Sequence, residues 1–208
     1  MSRKKKLSSD KRVPSMDMDI EEKHKAIAIP VSMIDSVPMF LTVRDRRFRE
    51  WLFVTGGCRK KEVVCPLKCA LRELEEETRG VVNLREVSYS YFKFKTINRT
   101  PDEVRKDTDR GVKVISVYHV YIIEFDHTKN VQNHLIERFN YEKLKTDERR
   151  RSGLAIKRTH DENDFMSFDT MEEFSRKKIW DLISDNVLDN PEFQTLLHST
   201  NRETFNIR

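Results

Sequence analysis

The chain has no long apolar run. No stretch approaches the roughly 20 residues needed to cross a bilayer, and the opening Met1-Ser2-Arg3-Lys4-Lys5-Lys6 has no apolar segment behind it, so neither membrane insertion nor secretion is expected. Cysteine is scarce. Cys58, Cys65 and Cys69 are odd in number and crowded together, which excludes a disulfide framework and points to reduced thiols inside a cell. Internal repeats are absent, and so is low-complexity text beyond the first residues. Neither sign of charge dominates. The 40 Lys+Arg against 35 Asp+Glu leave +5, a modest excess that suits a polyanionic partner without requiring one. What the chain has in quantity is charge itself, 36% of residues against about 25% in typical domains. Twelve Phe, five Tyr and two Trp still supply the bulk for one sizeable core, and 208 residues fit one domain with tails.

Residues 1–22 read as a flexible tail, basic from Arg3 to Lys6 and acidic at Asp17, Asp19, Glu21 and Glu22. The basic cluster is open to a second reading, as an import signal or an RNA-grazing arm. A single domain is expected over 23–186, with a helical extension over 187–208. Strands are expected at 26–31, where Pro30 suggests an edge or a strand end, and at 39–43, 51–55, 87–95 and 112–125; the last is the richest in β-branched and aromatic residues. The charged stretch between the last two suggests a hairpin with a long loop. Further on, 131–145 reads as a helix, 147–160 as a basic loop, 165–168 as a short strand, 171–186 as a helix, and 191–198 as a closing helix. Mixed strands and helices give an α+β or α/β class.

The informative text follows Thr55. A strand stops at Gly56-Gly57, a loop follows, and Pro66 sits well for a first helical position. Leu67, Ala70, Leu71 and Leu74 then share one helical face. Glu73, Glu76 and Glu77 fall on another, at i, i+3 and i+4, where like charges repel by a few tenths of a kcal/mol per pair. They also crowd the C-terminal end of the helix, where the macrodipole favours cations. Such a stripe is either solvated or neutralised by a cation, and converging carboxylates suit a hard divalent ion.

Strand, Gly-Gly, loop and then Arg72-Glu73-Leu74-Glu75-Glu76-Glu77-Thr78 resembles the Nudix box, whose pattern is Gly, five residues, Glu, seven residues, then Arg-Glu-aliphatic-any-Glu-Glu-any-Gly. Arg72, Glu73, Leu74, Glu76 and Glu77 occupy the family's positions. The loop half departs from it. Gly57 to Arg72 is one residue too long, Glu62 stands out of register for the loop Glu, and Arg79 stands where the closing Gly belongs, with Gly80 one place late. The resemblance implies a Nudix fold, an α/β/α sandwich with a mixed β-sheet between helices, in the α+β class. It also implies a hydrolase of phosphoanhydride bonds in compounds that link a nucleoside diphosphate to another group. Glu73, Glu76 and Glu77 would hold Mg²⁺ or Mn²⁺, one of them with a share in proton abstraction, Arg72 would orient them, and Gly56 and Gly57 would let backbone approach a phosphate or the metal. A late acid is expected as a further ligand, with Glu162 the choice and Glu137 and Asp161 its competitors.

Within the family the box looks most like Nudix proteins of large DNA viruses, some of which remove mRNA caps. That implies capped RNA as partner, with a nucleotide-containing small molecule or an inositol pyrophosphate as the alternative substrate, and a non-catalytic binding module as a further one. The expected compartment is the cytoplasm, with the nucleus open through the basic N-terminus. Arg46, Arg47, Arg49, Arg59, Lys60 and Lys61, and separately Arg149–Arg151 with Lys157 and Arg158, could track phosphates or simply face solvent. Trp51, Tyr91, Phe92 and Phe94 are available for stacking on a base, though such residues are more often core. The three cysteines read as packing thiols rather than a zinc site.

Overall fold

The computed structural model describes residues 19–97, 104–106, 109–155, 161–199 and 202–206. Two long strands form its spine. β1 (Asp19–Ile34) and β6 (Val112–Glu124) run parallel, in register from Asp19↔Val112 to Val31↔Glu124. Each carries a near-continuous apolar stretch, Ala26–Val31 in β1 and Val117–Ile123 in β6, where both faces are covered, as expected of buried parallel strands. Around them lie β2 (Val37–Asp45), β3 (Trp51–Leu52), β4 (Val54–Gly57), β5 (Glu86–Thr96), β7 (Asn163–Asp169) and β8 (Glu203–Asn206). The order across the sheet is β3-β2-β1-β6-β5-β8, with β4 paired to β1 and β7 to β2. All pairings except β1–β6 are antiparallel.

Helices cover both faces. On one side α1 (Pro66–Glu77) and α2 (Lys129–Arg151) bury Leu67, Ala70, Leu71, Leu74, Leu135 and Phe139 against Ala26, Ala28, Tyr121 and Ile123. On the other, the short helices α3 (Met171–Ser175), α4 (Asp181–Ile183) and α5 (Pro191–Leu197) place Phe174, Leu182, Ile183 and Phe193 against Ile27, Ile29, Phe40 and Phe53. Alternate residues of β1 serve alternate cores, as the two-residue period of a strand requires. The architecture is the expected mixed sheet between helical layers.

Several elements differ from the sequence reading. β1 begins at Asp19, inside the stretch expected to be tail, because 19–22 pair with Val112–Ile115. Pro30 lies at the centre of the sheet and not at an edge. It sits where β1 changes antiparallel partner, after Ala28↔Val54 and before Val31↔Phe40, so its missing N–H leaves no registered antiparallel bond unmade. The strand expected at 51–55 is broken at Phe53 into β3 and β4. α2 runs on through Arg151, so 147–151 are helical rather than loop; Lys157 and Arg158 lie outside the described residues. The helix expected over 171–186 is interrupted after Ser175, because Trp51 and the 178–180 segment bridge as short strand partners, with Trp51 N–H donating to Lys178 O (2.8 Å) and Trp180 N–H to Trp51 O (3.0 Å). Residues 187–199 and 202–206 pack onto the same sheet, through buried Val187 and Phe193 and through pairing of β8 with β5.

Candidate active site

β4 delivers Gly56 and Gly57 beside Ala26 and Lys25 of β1, and α1 packs over them. A Cβ on Gly56 would collide with the Glu73 side chain, so only glycine lets this carboxylate lie against the strand. Gly57 meets nothing on that side, but its carbonyl accepts from Arg72 Nη2 at 3.0 Å.

Glu62, out of register by spacing, is nevertheless brought to Arg72. Glu62 ends a 3-10 turn at Lys60–Glu62, and the surplus residues of the loop lie after it, at Val63 and Val64, the latter 90% exposed. Glu62 then takes Arg72 in a two-bond fork, Nε to Oε1 at 2.8 Å and Nη2 to Oε2 at 2.9 Å. It also accepts from the Arg59 backbone N–H at 2.8 Å. The Arg72 guanidinium holds the Glu62 carboxyl down at about 2, as two charge-assisted bonds to a carboxylate should. Arg72 Nη1 reaches Glu73 Oε1 (2.8 Å) and Glu76 Oε2 (3.0 Å). Arg72 therefore bonds two of the box acids, and the loop acid bonds Arg72.

Glu77 is buried at the end of α1. Its Oε2 accepts from Asn163 Nδ2 at 2.9 Å, and burial, reinforced by Glu73, Glu162 and Asp45, raises its proton affinity well above that of an ordinary carboxyl. Glu73 is raised for the same first reason, burial, partly offset by Arg72. Glu77 and Glu162 line a cleft of about 520 Å³ together with Gly56, Gly57, Asp45 and Glu50. Of the competitors for the late acid, Asp161 is drawn into ion pairs with Arg46 (3.1 Å) and Arg150, and Glu137 faces solvent on α2.

The cleft also holds residues that sequence reasoning passed over: Lys25, Phe48 and Trp180. Phe48 stands on the β2–β3 turn, fixed by its N–H to Asp45 Oδ1 (2.6 Å) and by Arg49 N–H to Asp45 O (3.0 Å). Lys25 donates to the Tyr118 hydroxyl at 3.1 Å. No local pattern marks these residues, which meet only through strand pairing and the interrupted helix. The four aromatics named from sequence lie elsewhere. Phe92 is core, Phe94 stacks on Tyr118, Tyr91 on His119, and Trp51 lies under Lys177.

Much of the expected basic track is paired within the protein. Arg46 meets Asp147 and Asp161, Arg49 meets Asp164, Arg59 meets Glu76 (3.2 Å), and Arg150 meets Asp147 (2.7 Å) and Asp161. The cysteines pack as expected, Cys69 buried in the α1 core and Cys58 and Cys65 against it. Cys69 Sγ lies 3.9 Å from the Gly56 carbonyl, and the nearby Cys58 with burial keeps the Cys69 proton bound.

The acids suit a divalent ion in chemistry. Glu73, Glu76, Glu77 and Glu162 supply only oxygen donors, the preference of Mg²⁺ and Mn²⁺. Glu162 raises the proton affinity of both Glu73 and Glu77, and Glu73 raises that of Glu77, which is the mark of negative charge that a cation would neutralise. Among the described residues no three such side chains already close on one point, so the fit rests on donor type and charge.

The NUDIX domain family matches residues 23–158. Solved structures similar to the chain include the NUDIX domain of Shewanella oneidensis NrtR complexed with ADP ribose, at 12% identity and a TM-score of 0.44, over 76% of this chain and 79% of that one. A C. elegans Ap4A hydrolase binary complex is 12% identical with a TM-score of 0.43, over 84% and 92%. A NUDIX hydrolase from Nitrosomonas europaea is 11% identical with a TM-score of 0.40, over 85% and 86%. No curated protein matches the sequence. With the family match spanning most of the sheet and the whole acidic helix, the chain belongs to the Nudix family and is a pyrophosphohydrolase built on the Nudix fold.

Proposed function

We propose that this hydrolase is metal-dependent and that its substrate is the 5′ cap of mRNA, cleaved to methylated guanosine diphosphate and a 5′-monophosphate RNA. The observation that carries it is the shared cleft, in which Glu77 and Glu162 face Gly56-Gly57 alongside Phe48, Trp180 and Lys25. Glu73, Glu76, Glu77 and Glu162 would hold the ion, which when bound polarises the pyrophosphate and acidifies a water. The chain's own groups do the rest. Lys25 meets a phosphate oxygen, and the small Gly56-Gly57 backbone admits the phosphates. One of the box carboxylates would share in taking the proton as the water oxygen bonds to phosphorus and the anhydride P–O bond breaks. A methylated guanine is cationic, and the aromatic faces of Phe48 and Trp180 beside Glu50 favour a flat cation. The likeness of the box to viral decapping proteins supports the same substrate.

Incubation with capped RNA and Mn²⁺ tests this: cap release is expected from the wild type and is lost in Glu77→Gln. Absence of cap release under conditions where free nucleotides are hydrolysed would sink the cap assignment. The internal pairing of Arg46, Arg49, Arg59 and Arg150 favours a second reading, a small substrate such as a nucleoside polyphosphate or inositol pyrophosphate, for which no RNA track is needed. Faster turnover of such compounds than of capped RNA would establish it.

A further inference from the structure

The acidic helix ends in an unusual way. Thr78 caps α1, Arg79 N–H bonds to Glu76 O (3.1 Å) and Gly80 N–H to Glu75 O (2.7 Å). This pair of reversed bonds closes a helix through a left-handed residue, usually glycine. Here that residue is Arg79, at φ +60°, a backbone region unfavourable to any residue with a Cβ. The closing glycine of the box is thus replaced by a residue that fits its backbone poorly, and the compensation has to come from the side chain.

That side chain is 1% exposed. Its Nη2 donates to the Asn163 carbonyl at 2.7 Å and its Nη1 to Thr146 Oγ1 at 3.2 Å. The guanidinium lies 5.2 Å from the centre of the Phe139 ring and 3.9 Å from Asp161. Burial and the nearby Arg46 lower its proton affinity to about 10, which leaves it a cation at neutral pH. Arg79 therefore joins α1, α2 and the start of β7 at one point. The residue it grips by the carbonyl, Asn163, is the one whose amide holds Glu77 (2.9 Å), and its neighbour Glu162 is fixed on the other side by Arg46 N–H to Glu162 O (2.9 Å).

We propose that Arg79 is a positioning residue of the acidic site, latching the 162–163 segment onto α1 so that Glu162 and Asn163 face Glu77. The proposal rests on the metal-dependent reading of that site. Its logic is geometric. Glu77 belongs to the helix and Glu162 to a distant part of the chain, so their separation is set by whatever ties the two segments, and Arg79 bonds directly across that gap.

The test uses the full chain. Mn²⁺ binding is measured by calorimetry, alongside kcat and KM, for wild type, Arg79→Gly and Arg79→Lys. Glycine relieves the left-handed backbone while removing the latch; lysine keeps the charge but loses the two-armed grip, and serves if the glycine variant does not fold. At a temperature where each protein is more than nine-tenths folded, Mn²⁺ affinity and kcat are each expected to fall about tenfold, with KM changed less than threefold. Wild-type Mn²⁺ affinity and kcat in either folded variant would overturn the proposal, even if the melting temperature drops, because the residue would then serve stability alone. Failure of the wild type itself to bind Mn²⁺ or hydrolyse any substrate would instead remove the reading of the site, and this inference with it.

Discussion

Arg72 uses its guanidinium on several acceptors at once: both oxygens of Glu62, one each of Glu73 and Glu76, and the Gly57 carbonyl. Breaking such a half-buried pair from one side strands the other charge, at a cost of about 3 kcal/mol. Glu62→Ala is therefore expected to lower unfolding free energy by about 2–3 kcal/mol in urea titration, and to loosen Glu73 and Glu76. Because its folded proton affinity is depressed to about 2, the Glu62 contribution is complete above its ordinary value of 4.5 and lost as pH falls toward 2. Glu77 has the opposite sign. Its raised affinity means that the ionised form destabilises the fold at neutral pH. Glu77→Gln is thus expected to keep or raise the melting temperature while reducing hydrolysis at least 100-fold. A variant that is both inactive and less stable would contradict this reading of its burial. At this scale the box acids were legible from their spacing. Glu62 was not, because two extruded valines conceal its register.

Between elements, the closest approach is β4 to α1. Gly56→Ala would force a methyl into the Glu73 side chain, and the helix must shift to admit it. We expect a loss of about 1–3 kcal/mol and a fall in activity of at least tenfold. Gly57→Ala has open space at that position and should be milder on both counts. A second tie runs across three strands. His24 Nδ1 lies 3.0 Å from His119 Nε2, and His119 Nδ1 lies 2.9 Å from the Tyr91 hydroxyl, joining β1, β6 and β5. Burial, with His24 and Lys93 nearby, pulls His119 down to about 4. The unfolded chain then binds the extra proton first. Stability is complete above about pH 6.5 and declines as pH falls toward 4, by at most about 3 kcal/mol. Melting temperature measured across that window is expected to fall in the wild type and to flatten in His119→Gln. This tie was invisible beforehand, since 95 residues separate the two histidines.

Across the whole molecule, one sheet separates two cores, and the second core depends on the last part of the chain. Phe193 is fully buried, 6.4 Å by ring centres from both Phe40 and Phe53. Phe193→Ala should cost about 3–5 kcal/mol in denaturant unfolding; a loss under 1 kcal/mol would mean that the 191–197 helix is dispensable to the second core. Strand and helix periodicity, the run of acids and the paired glycines are local patterns, so the sequence by itself determined the sheet-and-helix composition, the acidic helix and the family. Which residues meet in the cleft is a matter of long-range pairing. Lys25 reaches it through the β1–β4 register, Phe48 through a turn, Glu162 through the Arg79 and Arg46 bonds, and Trp180 through a helix that breaks to bridge Trp51. Those partners are far apart along the chain, and only the folded backbone sets the distances between them.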